Sequence, residues 1–219
     1  MQRFRTLLSP GEGRYEEKRS VFLGFAAHIR TEEEAEMFLA GLRKAHYGAR
    51  HCCYAYVLGP DRKTVKCSDD GEPSQTAGQP ILSVLNGEGL TDCIVAVVRY
   101  FGGTLLGTGG LIRAYTAASK DCVANAVPMT VIPGTLLKIR ISYNDLGKVR
   151  YYLRQRDLEP GDILYSDAVT VMLPLDDAEV AKTEADVTDL TQGQAVIEHE
   201  GTVRIGKTEE KQLLLEEGF

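Results

Sequence analysis

The 219-residue chain carries 25 Lys+Arg against 31 Asp+Glu, a formal net charge of −6, with 43% hydrophobic and 26% charged residues. That balance belongs to a folded globular chain; it excludes whole-chain disorder and a strongly basic nucleic-acid footprint. The longest unbroken apolar stretch, Cys93 to Val98, is far short of the roughly 20 residues a membrane-spanning helix needs. The first ten residues, Met1 to Pro10, hold no long apolar core and no small-residue cleavage site. No secretory signal is read, and a cytoplasmic location with no membrane partner is expected.

Residues 14–29 read as strand material. Thr31, with Glu34 three residues later, is a capping box. Ala35, Phe38, Leu39 and Leu42 then recur at helical spacing, predicting an amphipathic helix over roughly 31–46. Cys53 to Leu58 reads as a strand ending at the turn Gly59-Pro60-Asp61, with Thr64 to Cys67 as its hairpin partner. A polar loop, Ser68 to Gly78, leads to a helix at Pro80 to Leu85. Cys93 to Val98 reads as a buried strand. After Arg99-Tyr100-Phe101 and a glycine-rich loop, Leu111, Ala114, Tyr115, Ala118 and Cys122 mark one face of a helix running to about Ala126.

Pro128, Pro133 and Gly134 then punctuate the chain where its charge changes. Residues 1–134 hold 15 basic and 14 acidic residues, a net of +1; residues 135–219 hold 10 and 17, a net of −7. A domain boundary is expected there, with domains at 1–134 and 135–219. In the second half, strands are expected at 136–143, 158–165, 169–175 and 194–205, and helices at 145–156 and 177–190. The order β-α-β-β-α-β is the ferredoxin-like split βαβ pattern. The fold class is therefore α/β (α+β) with two domains. Lys207 to Phe219 reads as a charged tail, either a short terminal helix or frayed.

Two loops carry the charges and glycines that chemistry could use. The first runs from Arg99 and Tyr100 through Gly102, Gly103, Gly107, Gly109 and Gly110 to Arg113. A glycine loop entering a helix collects free N–H groups at a positive dipole end, which favours anions. Thr108-Gly109 stands where a P-loop needs Lys-Ser/Thr, and Ile112 takes the third glycine position of a dinucleotide fingerprint. No nucleotide cofactor is expected. The second is the acidic loop of Asp69, Asp70 and Glu72, whose carboxylates could bind a divalent cation, serve as a base or simply cap the turn; the spacing lacks the periodic ligands of a calcium hand, and no metal is expected. Both loops are expected on one face of the first domain, with Arg99 and Arg113 facing the acidic loop.

The five cysteines, Cys52, Cys53, Cys67, Cys93 and Cys122, have no metal-clip spacing and are expected to be reduced and free of zinc. Around His51-Cys52-Cys53, zinc would need further ligands, and His46 and Cys67 are the nearby candidates. Strand alternation puts His51 and Cys53 on one side and Cys52 on the other.

Three stretches resemble the IMPACT family, bacterial YigZ-type branch: His51-Cys52-Cys53-Tyr54-Ala55; Ser68 to Leu82; and Val98 to Tyr115 with its Arg-Tyr-Phe-Gly-Gly block. Gln75 stands where the family often has Gly, and Gln79 where a basic residue is common. The resemblance implies a first domain like the second domain of a small-subunit ribosomal protein, also seen in domain IV of elongation factor G. It implies a second domain similar to domain V of that factor. Eukaryotic relatives bind a ribosome-associated activator of a stress kinase. Two functional readings follow. One is a binding module for the ribosome, RNA or a translation-associated protein, acting through the first domain. The other is a small enzyme on a phosphorylated or carboxylated metabolite, with the arginines and glycine loop holding the anion and Asp69, Asp70 or Glu72 as base.

Overall fold

The structure, a computed structural model, describes residues 2–209 and 212–215. The chain divides between Met129 and Thr130 into two units, the first formed by residues 4–129.

The first unit begins with β1 (Phe4–Ser9), β2 (Gly11–Glu17) and β3 (Ser20–His28), followed by α1 (Glu32–Ala45). The run that reads as strand material over 14–29 holds a turn that the sequence reading does not mark: β2 and β3 form a hairpin closed by the two residues Lys18 and Arg19. Both turn residues are left-handed, with φ of 47° and 65°. Such turns are usually written Asn-Gly, so Lys-Arg gave no turn signal. α1 is capped as expected: the Glu34 N–H donates to Thr31 Oγ1 at 3.1 Å, and the Arg30 N–H donates to Glu34 Oε2 at 2.7 Å. β4 (His51–Leu58), β5 (Thr64–Ser68), α2 (Gly78–Gly87), β6 (Cys93–Tyr100) and α3 (Gly107–Ala124) complete the unit. The five-stranded sheet has the order β2-β3-β6-β4-β5, antiparallel throughout.

Both faces of that sheet are covered. On one, Cys53, Ala55 and Val57 of β4 and Cys93, Val95 and Val97 of β6 pack with Ile81, Leu85, Leu111, Ala114 and Tyr115 of α2 and α3. On the other, Cys52, Tyr56, Ile94, Ala96 and Val98 pack with Ala35 and Leu39 of α1. The adjacent cysteines therefore face opposite cores, as strand alternation requires. α3 starts earlier than expected, so Gly107, Gly109 and Gly110 lie in its first turn and the loop proper ends at Leu106.

β7 (Val127–Ile141) carries the chain into the second unit. Pro128, Pro133 and Gly134, expected to break the chain, lie inside this strand. Its pairing with β10 runs unbroken past Gly134, which sits opposite Val203. A proline lacks only its own N–H, and a strand tolerates it where the ladder does not need that donor. α4 (Tyr143–Gln155), β8 (Ile163–Tyr165), β9 (Val169–Asp176), α5 (Asp177–Leu190), β10 (Val196–Lys207) and β11 (Gln212–Leu215) follow. The order β10-β7-β9-β8 is the ferredoxin-like arrangement, extended by β11 beside β10. Its core joins Leu137, Ile139, Val171 and Leu173 of the sheet to Val149, Leu153 and Val187 of the helices.

The tail expected as helix or frayed is a strand where described: Leu213 and Leu214 sit opposite Gly206 and Ile205. The rest of that tail, residues 210–211 and 216–219, lies outside the described residues. No helix among the described residues is long and apolar enough to cross a membrane.

Candidate functional site

Strand register gathers the loops of interest. Glu17 pairs with Ser20, Val21 with Tyr100, His51 with Arg99, and Tyr54 with Ser68. The Lys18-Arg19 turn, residues 101–106, residues 46–50 and the acidic loop therefore all emerge at one end of the first unit's sheet.

Beneath that end lies a buried polar cluster. Arg99 Nη1 donates to Glu72 Oε1 at 2.6 Å, and the two side chains are only 7% and 3% exposed. The same oxygen accepts from the Tyr115 hydroxyl at 2.8 Å and lies 3.9 Å from His51 Nε2. The rings of Phe22 and Phe101 lie 5.4 and 5.6 Å from the Arg99 guanidinium, which they shield from water. Cys53 Sγ lies 3.0 Å from the Asp69 carbonyl oxygen and 3.3 Å from the Tyr115 hydroxyl. Burial first, then the neighbouring Cys53 and Glu72, push the Tyr115 hydroxyl far above its ordinary pKa. Burial also raises Cys53, and it pushes Cys52 up to about 11. Both thiols are held protonated, and Cys53 does not bond to His51, so no Cys–His nucleophile is assembled. His46 bonds instead to the Tyr100 hydroxyl at 2.9 Å, and Gln79 donates to Cys67. Among the described residues no three His, Cys, Asp or Glu side chains form a group that could hold a metal ion.

The other two acids of the loop are also committed. Asp69 accepts the amides of Ala77 and Gly78 on Oδ1, at 2.9 and 2.8 Å, and that of Gln75 on Oδ2 at 2.8 Å. It thereby supplies the first turn of α2 with the cap that Ala77 cannot provide. Burial works to raise its carboxyl, but the amides of Gly78, Gln75, Ala77 and Thr76 together hold it below the ordinary value. Asp70 Oδ2 accepts the Cys52 amide at 2.7 Å, and Oδ1 lies 3.4 Å from Arg43. The loop is bent through left-handed residues at Asp70, Gly71 and Gln75, with Gln75 at φ 63°. Glycine would take that conformation without steric cost, so Gln75 holds it with some strain.

Arg113 does not join the acidic loop as expected. It is 68% exposed and pairs with Glu17 of β2 at 3.6 Å. One turn into α3, its side chain leaves the helix on the side of β2. Gly102 is required by packing: a Cβ there would meet the Arg19 backbone at 2.1 Å. Gly103 and Gly107 instead take φ of 84° and 73° in open space. Gly109 and Gly110 lie at the N-terminus of α3, which has no side-chain cap. Around this rim, Lys18, Arg19, Arg50 and Phe101 are exposed, and Arg50 lies 5.8 Å over the Phe101 ring. Sequence reasoning missed Lys18, Arg19 and Glu17, which belong to a turn it did not resolve, and the Tyr115 hydroxyl, which it read only as core.

Comparison with known proteins agrees with this architecture. The Impact N-terminal domain matches residues 18–123, and a domain of unknown function (DUF1949) matches residues 139–194. The chain is 35% identical over 195 residues to IMPACT family member YvyE of Bacillus subtilis, covering 88% of each chain. It is 37% identical over 181 residues to IMPACT family member YigZ of Escherichia coli, covering 80% of this chain and 87% of that one. A solved structure described as "Crystal structure of an hypothetical protein" aligns with a TM-score of 0.59 at 33% identity, over 90% of this chain and 97% of the other. On this agreement of both halves in sequence and fold, the chain belongs to the IMPACT family.

Proposed function

We propose that the first unit is a binding module for an anionic macromolecule of translation, structured RNA in a ribosomal context, and that its contact surface is the basic rim above the buried cluster. The observation that carries this reading is the Lys18-Arg19 turn. Two non-glycine residues there hold left-handed φ at about 1–2 kcal/mol each. Asn-Gly would relieve that strain, so the charges are kept at the expense of stability. They stand beside exposed Arg50 and Arg113, and beside the free amides of α3, which together favour phosphate. The alternative, a small enzyme on a phosphorylated or carboxylated metabolite, needs a free base; Asp69, Asp70 and Glu72 are all engaged with the protein itself.

The test is the double variant Lys18→Asn with Arg19→Gly. Chemical denaturation is expected to show a gain of about 1 kcal/mol. Anisotropy with a labelled RNA hairpin and co-sedimentation with ribosomes are expected to show weaker binding. The log–log salt slope should fall by about 0.9 for each duplex phosphate that is no longer neutralised. RNA and ribosome affinity that stays level while stability rises would overturn the reading.

A further inference from the structure

Residues 130–219 carry net charge −7, yet one helix of this unit is basic and aromatic on its outer face. Along α4, Tyr143, Gly147, Arg150, Tyr151 and Arg154 follow at spacings of four, three, one and three residues, which places them on one exposed stripe. The core-facing positions of the same helix are Val149 and Leu153.

Three features of the stripe are not explained by folding. Tyr143 and Tyr151 are 53% and 59% exposed, large rings left in water about 12 Å apart along the helix. Gly147, midway between them, has open space where a Cβ would stand. A glycine inside an exposed helix gives up roughly 1 kcal/mol relative to alanine. Arg150 and Arg154 enter no ion pair among the described residues, whereas their neighbours are neutralised: Lys148 by Asp145, Arg156 by Glu179 and Asp186, and Lys207 by Asp176.

The rings are also held in place. The Tyr143 hydroxyl donates to the Ser166 carbonyl at 2.7 Å, and the Arg154 guanidinium lies 6.0 Å over the Tyr151 ring. Beside the stripe runs an open groove of about 1210 Å³, lined by Arg150, Tyr151 and Arg154 but also by acids that include Asp157, Glu159 and Glu179, so the stripe itself, and not the groove, is the part suited to a polyanion.

We propose that the α4 stripe is a second contact site, for single-stranded nucleic acid, in which bases stack on Tyr143 and Tyr151 and the backbone phosphates meet Arg150 and Arg154. Alternation of exposed rings with unpaired guanidiniums is the chemistry that binds unpaired strands. A duplex offers no free base faces to these rings. An acidic peptide would satisfy the arginines but leave both rings and the Gly147 gap without use. The negative charge elsewhere on the unit confines a polyanion to this stripe and makes stacking, rather than bulk charge, the main source of affinity.

The experiment uses the full chain and a fluorescently labelled oligouridylate, followed by anisotropy. Tyr151→Ala is expected to weaken binding about tenfold. Tyr151→Phe keeps the ring and should bind like the unaltered protein. Arg150→Gln with Arg154→Gln should lower the log–log salt slope by about 0.7 for each phosphate that is no longer neutralised. All these positions are exposed, and unchanged denaturation midpoints certify the folded state.

The proposal is overturned by any of four results: no binding of oligouridylate, no effect of Tyr151→Ala, an equal loss of duplex RNA affinity in Tyr151→Ala, or arginine-dependent capture of labelled polyglutamate in place of RNA. The Lys18→Asn, Arg19→Gly variant separates the two sites. Oligouridylate binding that vanishes there and persists in the α4 variants rejects the α4 assignment and leaves the first unit's reading standing; the reverse pattern supports the α4 site, and the first unit's reading then stands or falls on the hairpin and ribosome test alone.

Discussion

Arg99 and Arg113 flank the same glycine-rich segment and each pairs with a glutamate, but in opposite surroundings. Arg99 and Glu72 are nearly inaccessible, between two aromatic rings and under a loop whose other acids are spent on backbone amides. Arg113 and Glu17 meet at 3.6 Å with the arginine mostly in water. In the first pair the charges have lost their hydration and depend on each other. In the second, solvent screens the attraction and the arginine remains available to another anion. The same end of one sheet thus holds one charge pair sealed from water and one left in it, and burial alone tells them apart.

The largest effect should come from breaking the buried pair. Glu72→Ala strands the Arg99 guanidinium among Phe22, Phe101 and Tyr115, and Arg99→Ala strands the carboxylate. Either is expected to lower unfolding free energy by about 3–5 kcal/mol, read by chemical denaturation. Glu72→Leu combined with Arg99→Met should recover most of that loss, because no charge is then left without its partner. A single variant that costs under about 1 kcal/mol would erase the contrast between the two arginines.

A smaller effect is expected at Asp69, whose carboxylate ties three amides together. Asp69→Asn turns an amide nitrogen toward one of those donors and should cost about 2 kcal/mol near neutral pH. The folded carboxyl titrates below its ordinary value of 3.8, so its contribution is present above that value and fades as pH falls through the lower folded value. The unaltered protein should therefore lose stability more steeply than Asp69→Asn as pH drops below about 4. Parallel acid limbs in the two proteins would show that the amides are held by other means.

The second half was legible in the sequence because its strands alternate and its helices keep one apolar face, so the split βαβ order could be counted directly. Local signals also sufficed for the Thr31 cap and for the opposite facing of Cys52 and Cys53. They failed where the chain breaks a local rule. Lys18-Arg19 hides a hairpin turn, and Pro128 and Pro133 mimic a linker inside a strand. The candidate site was half visible. Arg99 and Glu72 were singled out, but their burial depends on β3, β4 and α3 packing around them, and no spacing along the chain reports that. The pairing of Arg113 with Glu17 rests on the close approach of α3 to β2, which only the fold supplies.

Arg113→Ala sharpens the comparison at its weakest energetic point. The pair it removes is exposed, so the expected change in stability is about 1 kcal/mol or less. Glu17 is 22% exposed, but its Oε2 is buried without a hydrogen-bond partner, so whatever the substitution costs in stability arises mainly at that carboxylate. If the rim recognises phosphate, this small structural change should still weaken RNA-hairpin binding and flatten its salt dependence, since removing a cation removes the counterion release it drives. Arg113→Lys retains the charge without the planar fork and should hold the slope while losing some affinity. Stability and binding then separate: the single variants of the buried pair change stability much and binding little, and Arg113→Ala does the reverse. A drop in stability of about 3 kcal/mol or more for Arg113→Ala, with RNA binding intact, would place this arginine beside Arg99 as a structural residue and remove the rim's claim to function.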